Sequence, residues 1–66
     1  MSVVGENLKK IRKASNLTLL SLSEKTDVPI STISDIENGR TSIGSDRTLR
    51  KLASGLNVVM ADFWKE

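Results

Sequence analysis

The hydrophobic residues of this 66-residue chain recur at spacings of three and four instead of alternating with polar residues. This spacing places apolar side chains on one face of an α-helix, whereas a half-buried strand requires alternation. Five segments show it, at about residues 5–15, 19–26, 30–38, 46–55 and 60–65. We therefore predict an all-α fold of five short helices, compact and forming a single domain over residues 1–66.

Residue types that favour helix ends lie between these segments. Thr18 is suited to cap the start of the second helix, and Ser45 the start of the fourth. Asn16 suits the left-handed position after the first helix, and Gly39 the end of the third. Pro29 cannot lie in the interior of a helix but fits the first turn of one. It therefore marks the boundary between the second helix and the third.

The inner faces of the five segments predict the core. Its expected members are apolar, apart from two serines that lie on the same stripes: Val4, Leu8, Ile11, Ser15, Leu17, Leu22, Ser23, Ile33, Ile36, Leu49, Leu52, Ala53, Leu56 and Phe63, with Met60 at the margin.

Composition removes several classes of function. The chain has no cysteine and no histidine, which excludes disulfides, thiolate zinc sites and serine triads with a histidine base. Its carboxylates are scattered at predicted helix ends, with no His, Cys or Tyr to assist them: Asp27, Asp35, Glu37, Asp46 and Asp62. We therefore expect no enzyme, no metal, no cofactor and no small-molecule ligand.

Charge and hydropathy narrow the location and the partners. Ten Lys and Arg residues against eight Asp and Glu give a net charge of +2, which permits nucleic-acid binding without requiring it. The first six residues show no basic and apolar signal-peptide pattern, and no apolar run approaches the roughly 20 residues of a membrane span. We expect a cytoplasmic protein with no membrane partner.

The most informative segment runs from Thr18 to Gly39. Two predicted helices of eight or nine residues are joined by Asp27, Val28 and Pro29 alone. This is the spacing of a helix-turn-helix, in which the second helix is held out far enough to enter a DNA major groove about 12 Å wide.

The residues around this spacing resemble the lambda-repressor-like helix-turn-helix family, also called the Cro or XRE family. The resemblance rests on TLLSLSEK at 18–25 followed by VPISTISDIENG at 28–39, in which Ile33-x-x-Ile36-Glu37-x-Gly39 is the most specific block. LKKIR at 8–12 and LRKLASGLNV at 49–58 are similar to the first and fourth helices of the family. The resemblance covers about residues 4–64 and implies a regulator that binds double-stranded DNA, usually as a homodimer on a palindromic operator.

The family pattern also implies roles for individual residues. It places Ile30, Ser31, Ser34 and Asp35 against base edges, and pairs Arg12 with Glu37 in a partly buried ion pair. Expected phosphate contacts are spread over the helix starts and the end of the third helix: Thr18, Leu19, Thr32, Asn38, Arg40, Thr41, Ser42, Ser45 and Arg47. Possible dimer contacts lie near the C-terminus: Val58, Val59, Met60 and Trp64.

Two readings of the function stay open at this point. The first is a repressor or Cro-like protein that blocks transcription by occupying its operator. The second is an antitoxin or adaptor that uses the same fold mainly to bind another protein. A partner-binding tail would favour the second reading, and none is visible in this sequence.

Overall fold

A computed structural model describes residues 3–40 and 46–65. Within these residues the chain forms four α-helices and one 3₁₀ helix, and no strand. The α-helices are α1 (Val3–Ala14), α2 (Leu19–Thr26), α3 (Ile30–Glu37) and α4 (Asp46–Leu56), and the 3₁₀ helix spans Met60–Trp64. No helix in this part of the chain is long and apolar enough to cross a membrane.

The all-α prediction is confirmed, with two corrections. The fifth segment is a 3₁₀ helix and not an α-helix, because five residues are too few for a stable run of i→i+4 bonds. The first helix begins at Val3, two residues earlier than the pattern indicated.

The described helices enclose one hydrophobic core. Its buried apolar members come from all five elements and the turn before α3: Val4, Leu8, Leu22, Val28, Ile33, Ile36, Leu49, Leu52, Ala53, Leu56 and Phe63. Ile11, Leu17 and Met60 pack against this cluster while remaining partly exposed. Ser15 is exposed, contrary to its predicted place on the inner stripe, because it lies beyond the last residue of α1.

Three of the four α-helices end in the same hydrogen-bonded motif. Asn16, Gly39 and Asn57 each have a positive φ, at 58°, 71° and 60°. In each case the left-handed residue and the residue after it donate backbone hydrogen bonds to carbonyls in the last turn of the helix. This is the Schellman arrangement, which satisfies carbonyls that a helix end otherwise leaves without partners. After α1 and α4 it turns the chain sharply enough for the next helix to begin within five residues.

Helix α1 lies between α3 on one side and the 3₁₀ helix on the other, while α2 packs on both α3 and α4. Gly5 permits the close approach of α1 to α3, because a Cβ atom there would overlap the carbonyl oxygen of Ile36. On the opposite side, Asn7 Nδ2 donates hydrogen bonds to the carbonyls of Phe63, at 2.8 Å, and Lys65, at 2.6 Å. The amide of Asn7 therefore fastens the C-terminal segment to α1.

Candidate nucleic-acid interface

Helices α2 and α3 form a helix-turn-helix with a three-residue turn. Asp27 adopts the left-handed conformation at φ 62°, and its N–H donates to the Ser23 carbonyl at 2.8 Å. Val28 is buried in the core, and Pro29 directly precedes α3. An Asp in the left-handed region is costlier than a Gly. The turn is fixed at its centre by burial of Val28.

Two hydroxyl groups of α2 hold this turn. Ser23 Oγ donates to the carbonyl of Val28 at 2.6 Å, so its hydroxyl bonds forward into the turn. The buried Thr26 donates to the Leu22 carbonyl at 2.7 Å, and its Oγ1 also accepts a bond from the Val28 N–H at 3.4 Å. These contacts satisfy polar groups that burial would otherwise make costly, and they tie the turn at Val28 to α2.

The structure brings Arg12 and Glu37 together in a bidentate ion pair. Arg12 Nε lies 2.7 Å from Oε2 of Glu37, and Nη2 lies 3.1 Å from Oε1. The remaining guanidinium nitrogen, Nη1, donates to the Leu17 carbonyl at 2.9 Å. The side chains are 11% and 5% exposed. The pair therefore links the end of α1 to the last turn of α3 and fixes how α3 is presented.

Helix α3 presents a polar and mostly exposed outer face. Ile33 and Ile36 point inward, and the four residues expected to face bases lie on the other side of the helix. Ile30 and Ser31 in the first turn are exposed, whereas Ser34 and Asp35 are half-buried. Pro29 contributes no capping side chain at the start of this helix.

The C-terminal half of the outer face is internally connected. Asn38 Nδ2 donates to Ser34 Oγ at 3.2 Å. Arg40 Nη1 lies 3.7 Å from Oδ1 of Asp35, and the Arg40 backbone N–H donates to the Asp35 carbonyl at 2.9 Å. Both of the expected base-facing residues in this half are thus joined to residues at the helix end.

The residues expected to contact phosphates differ in their exposure and in their other roles. Thr18 caps α2 by accepting the Ser21 N–H at 3.0 Å, while its hydroxyl donates to Ser21 Oγ. Leu19 packs its side chain partly against the core, and Thr32 is half-buried. Asn38 and Arg40 are exposed just after α3, and Arg47 is exposed in the first turn of α4. Thr41, Ser42 and Ser45, including the predicted cap of α4, lie outside the described residues.

The four candidate dimer residues separate into two pairs. Val58 and Met60 pack against the core and are only partly exposed. Val59 is 65% exposed and Trp64 is 45% exposed, which leaves two large apolar side chains in solvent at this end of the molecule. We call Val59 and Trp64 the C-terminal apolar pair.

The 3₁₀ helix that carries Trp64 is closed by Asp62. Its Oδ1 lies 2.7 Å from Lys65 Nζ, and its Oδ2 accepts the Val59 N–H at 3.3 Å. The hydrogen bond from Lys65, helped by the Val59 N–H, holds the pKa of the Asp62 carboxyl below its ordinary value, against a smaller opposing effect of burial. Asp62 thus fixes the segment at both ends.

Sequence reasoning missed three of these contacts. The Asp35–Arg40 pair could have been inferred from Gly39, because a Schellman end brings the residue after the glycine back to the last helical turn. The Asn7 bonds to the C-terminal segment and the role of Thr26 in the turn have no local sequence signal. In the part of the chain that the structure describes, no group of three or more Asp or Glu residues could hold a metal ion.

An α2–turn–α3 unit of this geometry, braced by α1 and α4, defines a helix-turn-helix domain. Comparison with known proteins gives the same result, since the helix-turn-helix family model matches residues 8–63. The chain belongs to this family, the lambda-repressor-like or Cro/XRE helix-turn-helix proteins.

Two curated relatives come from Bacillus subtilis (strain 168). The chain is similar to the uncharacterized HTH-type transcriptional regulator RghRB, at 38% identity over 58 residues. It is also similar to the HTH-type transcriptional repressor RghR, at 34% identity over 58 residues. Both matches cover 88% of this chain but only 42% and 43% of the relatives. The chain therefore spans about two fifths of the length of these regulators.

Proposed function

We propose that this chain is the DNA-binding part of a cytoplasmic transcriptional regulator, most simply a repressor that binds a palindromic operator as a dimer. The observation that carries the proposal is the presentation of α3. Its inner face is anchored by Ile33, Ile36 and the Arg12–Glu37 pair, and Ile30 and Ser31 are exposed on its outer face. A rigid helix held in this way can enter a major groove. The names of both curated relatives support a role in transcription.

Base reading is assigned to the outer face of α3. Ile30 can contact the methyl group of a thymine, and the hydroxyl of Ser31 can donate to or accept from a base edge. Both side chains are exposed in the first turn of the helix. Short hydroxyls discriminate weakly, so DNA shape and backbone contacts supply much of the specificity.

Phosphate contacts are assigned to the surroundings of α3. Arg40 and Asn38 are exposed at its C-terminal end, and Arg47 at the start of α4. The capped start of α2 at Thr18 adds backbone N–H groups and a favourable helix dipole. Such contacts set the position of the protein on the duplex and make binding dependent on salt.

Selection of bound sites from random duplex DNA tests the proposal. We expect a palindrome whose half-sites lie about one helical turn apart, close to 34 Å. Ser31→Ala should change the preferred base at one position of each half-site. Arg47→Ala should instead weaken all sequences and reduce the slope of log K against log salt by about one. A protein that enriches no sequence over random DNA would overturn the proposal.

A further inference from the structure

The ion pair at the end of α3 lies within the face assigned to DNA. Arg40 Nη1 lies 3.7 Å from Oδ1 of Asp35, and the side chains of Asp35 and Arg40 are 45% and 70% exposed. The backbone N–H of Arg40 donates to the Asp35 carbonyl at 2.9 Å, and this bond keeps the two residues adjacent in any side-chain conformation. The pair is therefore built into the helix end, while its charged groups remain accessible to a ligand.

The two side chains have opposite requirements beside DNA. A guanidinium is attracted to phosphate, whereas a carboxylate accepts hydrogen bonds only and is repelled by phosphate. If Arg40 leaves Asp35 to bind a phosphate, the carboxylate lies unpaired beside a polyanion. It regains a partner only where a base edge offers a donor.

The major groove offers such a donor at cytosine. The N4 amino group of cytosine suits a carboxylate, whereas thymine offers no donor and guanine presents two acceptors. Adenine places its N7 acceptor directly beside its amino group, which disfavours a carboxylate. The chemistry of Asp35 therefore selects for cytosine.

We propose that Asp35 is a specificity-determining residue that restrains Arg40 on the wrong sequence and releases it to a phosphate where a cytosine faces α3. This inference rests on the proposed function, because it assumes that α3 enters the major groove. The main effect of Asp35 is to weaken binding to non-specific DNA, because Arg40 remains paired with Asp35 there and displaces fewer counterions. Sequence recognition and backbone binding are coupled through one pair of residues.

The neighbouring pair on the same helix provides a contrast. Ser34 and Asn38 are joined by a neutral hydrogen bond of 3.2 Å, and neither group carries a charge that a phosphate could compete for. The coupling is therefore specific to the charged pair. Glu24, an exposed carboxylate on α2, provides the matched control for loss of one negative charge.

The experiment is a double-mutant cycle measured on two DNAs. Asp35→Asn, Arg40→Gln and the double variant are titrated against the selected operator and against random duplex, over a range of salt concentrations. We expect Asp35→Asn to raise affinity for random duplex roughly threefold, the scale of an exposed ion pair. The salt slope should steepen by up to about one. Both changes should disappear in the Arg40→Gln background.

On the operator the same substitution should give a smaller gain or a loss, so that discrimination between operator and random duplex falls. Site selection with Asp35→Asn should show a relaxed preference at the cytosine position. Glu24→Gln should act equally with and without Arg40→Gln, because it is not paired with Arg40. Circular dichroism of each variant checks that the exposed substitutions leave the helices intact.

Two results would overturn this assignment and leave the proposed function standing. An equal gain for Asp35→Asn in both arginine backgrounds would make Asp35 a general repulsive charge. A loss of affinity for random duplex would make it a residue that directs Arg40 toward phosphate. Failure of the wild-type protein to enrich any sequence would instead overturn the proposed function.

Discussion

Arg12 and Glu37 are charged side chains that are largely buried. Their burial is tolerated because each polar atom of the two side chains has a hydrogen-bond partner. Glu37 lies beside the buried Ile36 in the last turn of α3, where an unpaired carboxylate would be costly. The third guanidinium nitrogen bonds the Leu17 carbonyl, just after the Schellman end of α1. The pair therefore connects two helix ends, and its loss should loosen α3.

We expect Glu37→Ala to lower the free energy of unfolding by about 3 kcal/mol, because it leaves a buried guanidinium without its carboxylate. Replacing both residues by apolar ones should cost much less than this single change, although the bond to the Leu17 carbonyl is lost as well. Urea denaturation monitored by circular dichroism measures both.

The control for this prediction is an exposed ion pair. Arg50 Nε lies 3.1 Å from Asp46 Oδ2 on α4, with both side chains largely in solvent. Arg50→Ala should cost less than about 1 kcal/mol. A Glu37→Ala protein with the denaturation midpoint of the wild type would contradict a structural role for the buried pair.

We expect the C-terminal segment to respond to acid, because Asp62 has a lowered pKa in the folded protein. Because its pKa is lower in the folded protein, the carboxyl stabilises the fold at pH values above its unfolded pKa of about 3.8. This contribution is lost as the pH falls through the lowered folded value. The single tryptophan, Trp64, lies in the same 3₁₀ helix and reports the change.

We expect the fluorescence of Trp64 to change with an apparent pKa below about 3.8 during acid titration. Asp62→Asn should remove this step, because the amide does not titrate and bonds Lys65 only weakly. An identical titration curve for the variant would assign the transition to another group.

At the scale of helices, two glycines set how closely the elements approach. Gly55 on α4 faces Thr26 on α2, and a Cβ atom there would overlap the Cγ2 methyl of Thr26. Thr26 has little freedom to move, because it is buried and its hydroxyl is bonded to the Leu22 carbonyl. A glycine inside a helix costs stability through backbone entropy, and close packing offsets that cost here.

We expect Gly55→Ala to destabilise the protein by about 1–3 kcal/mol, the usual range for overpacking, despite the better helix propensity of alanine. Thr26→Ser in the same background should recover most of the loss, because it removes the clashing methyl and keeps the hydroxyl. Denaturation midpoints of the single and double variants measure this coupling.

Gly5→Ala provides the comparison, since its Cβ would meet the backbone carbonyl of Ile36 and not a side chain. Thr26→Ser should not rescue that variant. If Gly55→Ala proves neutral or stabilising, α2 and α4 can separate without cost and the close packing has no structural role.

The sequence predicted the elements better than the contacts between them. Helix bounds follow from local signals, as at Thr18, which caps α2 as expected. The 3₁₀ geometry of Met60–Trp64 and the exposure of Val59 depend on how the chain leaves the turn at Asn57. Asn7 bonds carbonyls 56 and 58 residues away, and no sequence spacing indicates such a contact.

The candidate site shows the same division. The outward position of Ile30 and Ser31 follows from helical periodicity once Ile33 and Ile36 are assigned to the core. The pairing of Asp35 with Arg40 does not follow from periodicity, and its signal is Gly39, where a Schellman end brings Arg40 back to the last turn of α3. Both carboxylates of α3 are therefore paired, Glu37 with Arg12 and Asp35 with Arg40.

At the scale of the whole molecule, size limits what one copy can do. The described residues extend 25 × 21 × 20 Å between Cα atoms. One copy reaches only a few base pairs, whereas selecting one operator in a genome requires roughly 4–10 kcal/mol over non-specific binding. Two copies on half-sites about 34 Å apart double the contacts and lie nearly edge to edge. Their interface is therefore expected to be small.

The C-terminal apolar pair is the candidate for that interface. Val59 and Trp64 are exposed at the 3₁₀ helix and just before it, and this helix packs on α1 and α4, whereas α3 packs on α1 and α2. Contact between copies through the apolar pair is therefore expected to leave both α3 helices free to face DNA. A small interface of this kind forms mainly when DNA holds the two copies together.

We therefore expect Val59→Lys, which places a charge on the most exposed of these residues, to abolish cooperative binding to the palindrome. Binding to an isolated half-site and the circular dichroism spectrum should stay unchanged. Ala14→Lys adds the same charge at an exposed position at the end of α1 and should leave cooperativity intact. Gel-shift titrations of wild type and both variants on half-site and full-site DNA measure the effect. The dimer model would be contradicted if the wild type bound the full palindrome without cooperativity and with the same affinity as an isolated half-site.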